Sequence, residues 1–307
     1  MNKLVTVVFA LLGVATTFPA HSVNEPLQTP SAGKVDRHYL FSPQLNDTIT
    51  IDVWTPEGFS VSRENKYPVI YMHDGQNLFD ATTTWNRQSW EMDSVVNELV
   101  ENNLIEAPVI VGIHSKSESR LGDLMPEKAF YMIENLPDTV AYEGHPIEVR
   151  GDRYAAFVAE TLMPRMTSLY NLSELPGDTF VMGSSMGGLM SVYMISEYPE
   201  LFGGAGCLST HWPGDPFSGW PLMPAMLRYL DKSLPSSDTH KLYFDHGTKD
   251  IDAFYGEAEK MVLDLIKRKG YEEGVNLENF VDEGAGHQER FWSKRVYRPL
   301  VFLLSKR

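Results

Sequence analysis

Apolar and polar residues are arranged in two ways along this chain. From Val35 to Trp54 they alternate, as in Thr48-Ile-Thr-Ile-Asp-Val-Trp54, and polar Asn46-Asp47 separates two such runs. A period of two puts successive side chains on opposite faces, which predicts a pair of hairpin strands at an antiparallel edge. Further on the runs become continuously apolar: Tyr67-Pro-Val-Ile-Tyr-Met72, Pro108–Ile113, Asp178-Thr-Phe-Val-Met182, Gly203–Ser209 and Lys241-Leu-Tyr-Phe-Asp-His246, with a shorter run near Leu277–Val281. Continuous runs suit strands covered on both faces. Between them, apolar residues at helical spacing predict helices over Ser89–Val100, Asp152–Leu169, Met186–Tyr198, Ala253–Lys269 and from about Gln288 to Leu304. Strands alternating with helices predict an α/β fold, with a mostly parallel central sheet, an antiparallel N-terminal edge and helices on both faces.

Three stretches stand outside this alternation. Residues 1–22 carry Lys3, the short apolar run Leu4–Ala15 and a small-x-small site at Ala20-His-Ser22, the pattern of a removable export leader to a bacterial periplasm or beyond. The run is too short to span a bilayer. Residues 23–34 read as irregular and 35–307 as one domain. Residues 114–150, with Arg120, Tyr131, Tyr142 and His145, form a connection long enough to expect a substrate-side role. The loop from His211 to Trp220 places Trp212 and Trp220 after a strand end, where they either stack on a sugar or arene or fill surface gaps.

Composition narrows the partners. A net charge of −15 repels phosphate backbones and anionic membranes, so neither nucleic acid nor stable membrane insertion is expected. Cys207 is the only cysteine, which excludes an intrachain disulfide and a thiolate zinc site. No nucleotide-binding loop, His-Glu-x-x-His pair or repeat occurs, and neither cofactor nor metal is expected.

The chemistry centres on Gly183-Ser-Ser-Met-Gly187, a Gly-x-Ser-x-Gly motif between a strand-like and a helix-like run. A strand that turns this sharply into a helix strains the residue at its apex and exposes its side chain, which makes Ser185 the candidate nucleophile. Its oxyanion would need fixed N–H donors: the amide of Met186, next after the serine, and that of Gln76, in the loop His73-Asp-Gly-Gln. A serine also needs a histidine base oriented by a carboxylate, in the chain order Ser, Asp, His for this architecture. His287, in Gly284-Ala-Gly-His287, suits the base. Asp245, Asp250 and Asp252 all cluster after one strand. Asp245 would still be inside it, Asp250 stands three residues after Gly247, and Asp252 could be the cap of the next helix.

Tyr71-Met-His-Asp-Gly-Gln-Asn-Leu-Phe-Asp80, Gly183-Ser-Ser-Met-Gly-Gly188 and Gly286-His-Gln-Glu-Arg-Phe-Trp292 together resemble the esterase D family of α/β-hydrolases, from about Val35 to Leu304. Its members include feruloyl, acetylxylan and enterobactin-type esterases. The stretch Tyr243-Phe-Asp-His-Gly-Thr-Lys-Asp-Ile-Asp-Ala253 resembles a branch that retains the last aspartate, which implies Asp252 as the triad acid, with Asp250 the alternative. The resemblance implies a serine carboxylesterase acting through an acyl-enzyme on carbohydrate-linked, aryl or siderophore esters. Arg120, His211 and Trp212 are candidate substrate contacts. An acyltransferase of the same fold is the nearest rival. A catalytically silent binding protein would be expected to lack part of the triad, and all of it is present.

Overall fold

The computed structural model describes residues 26–136, 141–142, 145–212 and 222–305. The leader at 1–22 and Trp220 therefore lie outside the described residues, as does the Tyr142 side chain. Residues 26–33 are irregular, and Lys34 begins the first strand.

Eight strands form one sheet: β1 Lys34–Ser42, β2 Asp47–Thr55, β3 Val69–His73, β4 Val109–Ile113, β5 Thr179–Ser184, β6 Gly204–Leu208, β7 Lys241–Gly247 and β8 Leu277–Asp282. Their spatial order is β1-β2-β4-β3-β5-β6-β7-β8. The first two pair antiparallel around Asn46, whose φ of 52° makes the tight reversal, and β2 also runs antiparallel to β4. Every later pairing is parallel. The expected α/β-hydrolase-like architecture is therefore the observed one, with its edge set by the alternating hairpin.

Period two in the strands sorts the core into two layers. Val69, Tyr71, Val109, Val111 and Val181 face one side, where they pack with the helices α2 Met163–Tyr170, α3 Met186–Glu197, α4 Leu222–Ser233 and α5 Gly256–Arg268. Ile70, Met72, Ile110, Phe180 and Met182 face the other, against α1 Met92–Glu101, α6 Glu289–Arg295 and α7 Tyr297–Leu304. Strands buried on both faces have to be apolar at every position, which is why their runs show no alternation.

Four local departures from the sequence expectation matter for the site. The helix expected over 152–169 runs continuously from Gly151 to Tyr170 but widens to a π-helix at Phe157–Leu162. The helix expected from Ala253 begins at Gly256, preceded by a 3₁₀ turn at Asp250–Phe254, and Asp252 lies inside that turn rather than capping a helix. The last helix breaks at Val296 into two. The connection 114–150 is only partly irregular: it carries short helices at Arg120–Asp123 and Glu127–Phe130.

Candidate active site

The strand-to-helix elbow at Ser185 follows from backbone crowding. A Cβ added to Gly183 would lie 2.8 Å from the Gly187 carbonyl carbon, so the turn closes only with glycine at position 183. Ser185 then takes φ 56° and ψ −120°, a conformation that costs an L-residue on the order of 1–3 kcal/mol. Its N–H donates to the Leu208 carbonyl at 3.0 Å, and its own carbonyl accepts from the His211 N–H at 3.2 Å. The apex is thus tied to the end of the neighbouring strand β6.

Opposite the elbow, β3 ends in a loop that folds back over β4. A Cβ at Gly75 would sit 2.3 Å from the backbone of Gly112, so only glycine lets this loop approach. A Cβ at Gly187 would lie 3.1 Å from that of His73, which brings the loop carrying Gln76 against the first turn of α3, where Met186 stands. The loop is held from behind. Asp74, at φ 57°, accepts two 2.7 Å bonds from the Arg120 Nε and Nη2. The Gln76 side chain accepts from the Ser115 N–H at 3.1 Å. His73 shares a 2.7 Å hydrogen bond with the Tyr154 hydroxyl through Nδ1, and burial pushes its pKa down to about 4, which keeps it neutral.

His287 follows β8, and its Nδ1 lies 2.5 Å from Asp252 Oδ1. The imidazole side chain is 19% exposed while Asp252 is fully buried. The second oxygen of Asp252 accepts from the Ser209 hydroxyl at 2.6 Å and from the Gly247 N–H at 2.8 Å. Burial alone would raise this carboxyl, but the His287 and Ser209 hydrogen bonds, together with the Gly247 amide, hold it below its ordinary range. Ser209 Oγ in turn accepts from Trp292 Nε1 at 2.9 Å and Arg295 Nη2 at 2.7 Å. The Trp292 ring lies edge-on to His287 at 5.1 Å and stacks on Trp90 at 5.3 Å, so the imidazole plane has an aromatic wall. Asp250 is exposed at φ 54°, with its carboxylate lying against Gly286.

The candidate substrate contacts divide. His211 sits beside the elbow, its Nδ1 2.8 Å from the Tyr255 hydroxyl. Arg120 reaches the site, but Asp74 takes its guanidinium edge, so it braces the loop. Trp212 does not face substrate: it is fully buried, packs on Phe244 at 5.7 Å and donates through Nε1 to Glu259 at 3.4 Å. The stacking role expected of Trp212 is therefore corrected to core packing, because the chain turns inward directly after His211. Tyr131 is exposed, as are Trp85 and Phe254, two aromatic residues the sequence patterns did not single out. Ser209, Tyr255 and Arg295 were likewise missed. Only the spacing Asp252-x-x-Tyr255 held a signal, since residues three apart in a 3₁₀ turn eclipse one another.

Among the described residues, no group of three or more His, Cys, Asp or Glu side chains is arranged to hold a metal ion. No helix among them is long and apolar enough to cross a membrane.

The Putative esterase family matches this chain over residues 42–295. The chain belongs to that family. It is accordingly a carboxylic ester hydrolase. The fold agrees: the enterobactin esterase FES from Shigella flexneri superposes with a TM-score of 0.64 at 18% identity, over 90% of this chain and 60% of its own. The present chain thus spans about 60% of the length of that enzyme. A ferulic acid esterase superposes with the same score of 0.64 and 18% identity, over 89% of this chain and 98% of its own. Uncharacterized protein YbbA of Bacillus subtilis (strain 168) is 22% identical over 260 residues, 83% of this chain and 92% of that protein.

Proposed function

We propose that this esterase works through a Ser185-His287-Asp252 triad by way of an acyl-enzyme. The observation that carries the reading is the 2.5 Å contact between Asp252 Oδ1 and His287 Nδ1. A carboxylate on Nδ1 fixes the tautomer whose Nε2 accepts a proton, which a serine nucleophile requires. Ser185 Oγ attacks the ester carbonyl as His287 Nε2 takes its proton. The amides of Gln76 and Met186 donate to the oxyanion. Collapse breaks the bond to the alcohol, which leaves with the proton from His287. Water then enters, gives a proton to His287 and attacks the acyl group, and Ser185 regains its proton as the acid departs.

For the substrate we favour esters of aryl, carbohydrate or siderophore type. The described relatives are an enterobactin esterase and a ferulic acid esterase. Exposed Trp85, Tyr131 and Phe254 offer ring surfaces in place of Trp212. The leader pattern at residues 1–22 supports export, and the mass of the N-terminus of protein recovered from the producing cell tests it.

Ser185→Ala is the decisive experiment. Hydrolysis of p-nitrophenyl and feruloyl esters should fall by about 10⁶-fold, with thermal unfolding nearly unchanged, and a fluorophosphonate should label wild type at Ser185 alone. Activity within tenfold of wild type would end the nucleophile assignment. Product identification with and without an added alcohol separates hydrolysis from acyl transfer.

A further inference from the structure

A single carboxylate joins the two loops that the triad scheme needs to keep in register. Gln76 follows β3 and His287 follows β8, and with β5, β6 and β7 between them those strands lie about 19 Å apart across the sheet. The sheet alone does not tie one loop to the other, and both have to arch inward to share a site. Glu289, the first residue of α6 and two residues after His287, is buried where they meet. Its Oε1 accepts from Asn77 Nδ2 at 3.2 Å, and Asn77 is the neighbour of Gln76 in the 3₁₀ turn Gly75–Asn77. Its Oε2 accepts from Asn86 Nδ2 at 2.7 Å. The Asn86 amide is fixed in that orientation, because its Oδ1 accepts from the Gln88 N–H at 3.1 Å. A second strap runs beside the first: the Arg290 N–H donates to Gln88 Oε1 at 3.1 Å, and the Trp90 N–H closes the loop on the Asn77 carbonyl at 2.9 Å.

We propose, resting on the triad reading above, that Glu289 is a positioning residue whose carboxylate holds the Gln76 loop against the His287 segment, so that oxyanion donor and base keep a fixed separation. A carboxylate offers only acceptors, and the two amides that face it are both donors, so an acidic side chain is what the gap between them takes. Asn77 depends on it most. Its Oδ1 is buried and has no partner among the described residues, which leaves the bond to Glu289 as the side chain's one hydrogen bond there. The consequence for catalysis is geometric. In the tetrahedral intermediate the Gln76 amide has to meet the oxyanion while His287 Nε2 faces the leaving oxygen, and both oxygens are bonded to one carbon. A loop displaced by about 1 Å satisfies one contact at the expense of the other, which costs up to about 100-fold in rate.

The test reads kcat and KM for p-nitrophenyl acetate on the full chain, well below its thermal unfolding midpoint. Glu289→Ala should lower kcat by about 10- to 100-fold with KM within about twofold of wild type, the signature of an interaction felt in the transition state. The midpoint should fall as well. A kcat within about twofold of wild type despite that fall, or a loss confined to KM, would overturn the proposal. Glu289→Gln keeps the length and one acceptor, and Asn77 can turn its Oδ1 to the new amide group, so most of the kcat should return. Equal losses in the two variants would overturn the bridge. Asn77→Ala should lower kcat in the same way and add little in the Glu289→Ala background, whereas losses that multiply would show two independent effects and overturn it. Asn77→Ala leaves Asn86 paired and decides the matter if Glu289→Ala fails to fold, an unchanged kcat ending the inference. Ser185→Ala separates the two levels: if it remains active the triad reading fails, whereas if it is silent and Glu289→Ala is wild-type only the present inference fails.

Discussion

Two fully buried aspartates, Asp52 and Asp252, are each surrounded by the same kinds of partner, and the difference lies in how those partners are shared. At the antiparallel edge, Arg37 makes two 2.7 Å bonds to the Asp52 carboxylate, His114 Nε2 lies 3.0 Å from it, and Gln28 donates at 2.7 Å. All of these side chains are buried, and Gln28 carries the N-terminal segment with it by bonding the Gly75 carbonyl and the Phe79 N–H. Around Asp252 the arginine is given away: Arg295 lies 3.9 Å from Asp252 but 3.0 Å from Asp245. The charge of Asp252 is left to be answered by His287, whose ring reaches the open side. A saturated cluster fastens the fold, whereas a cluster one cation short leaves its carboxylate paired with a partly exposed imidazole.

The counting of charge differs as well. Behind Asp252, one arginine serves Asp245, Asp252 and Asp282, and Glu259 lies close enough to feel the first two. Burial, together with the negative charges of Asp245 and Asp252, pushes Glu259 up to about 8 despite its bonds to Asn279 and Trp212. Asp52 moves the other way: burial opposes it, but Arg37, His114 and Gln28 hold it well below the usual carboxylate range.

The sharpest way to break this comparison is to neutralise each aspartate. Asp252→Asn should lower kcat by about 10⁴-fold, as for a histidine held in the wrong tautomer, with a modest effect on unfolding. Asp52→Asn should leave kcat of the folded protein close to wild type but cost about 3–5 kcal/mol of stability, because Arg37 stays buried without its counter-ion. Urea titrations and steady-state kinetics on both proteins check this, and a catalytic loss of similar size at Asp52 would erase the distinction.

Next comes pH. Glu259 in the folded protein keeps a proton that the unfolded chain releases near 4.5, so its contribution to stability is fully present below that pH and is lost as pH rises through about 8. The slope in that window is about 1.4 kcal/mol per pH unit at most. Asp52 has the opposite sign: its contribution is present above the unfolded pKa and disappears on acidification. Glu259→Gln should flatten the alkaline loss of stability while leaving the acid side intact, as read from urea midpoints across pH 5–9. An unchanged alkaline slope would mean that Glu259 is not the proton holder.

The smallest expected effect belongs to Ser209→Ala, which removes the hydroxyl joining Asp252 to Arg295 and Trp292. About tenfold in kcat and 1–3 kcal/mol of stability should be lost, since two buried donors are left unpaired. Full activity would show that Gly247 alone suffices to orient the carboxylate.

Much of this was legible along the chain because it depends on local physics. Continuous apolar runs mark strands buried on both faces, and Gly183 and Gly187 mark an elbow with little room for a Cβ. His287 was recognisable from its short glycine loop and the chain order. Trp212 was misjudged because a tryptophan beside Pro213 and Gly214 reads as a surface loop, and nothing local reveals that it turns inward onto Phe244. Asp250 and Asp252 stayed ambiguous in the residues alone for a related reason: a 3₁₀ turn and an α-helix start place position 252 differently, and only its tertiary partners Ser209, Gly247 and His287 select between them.

What the sequence by itself determined is therefore the alternation of strands and helices, the antiparallel edge and the elbow serine, since each depends on periodicity or on steric demands within a few residues, while the family was legible through the resemblance of three motifs. What the tertiary structure decided is which charges meet. Arg295 lies 43 residues from Asp252 and 50 from Asp245, and Ser209 reaches Asp252 across a separation of 43. Whether an arginine neutralises one aspartate or the other depends on ångström-scale differences between elements brought together by the whole sheet, and Coulomb and hydrogen-bond energies change steeply over such distances once water is excluded.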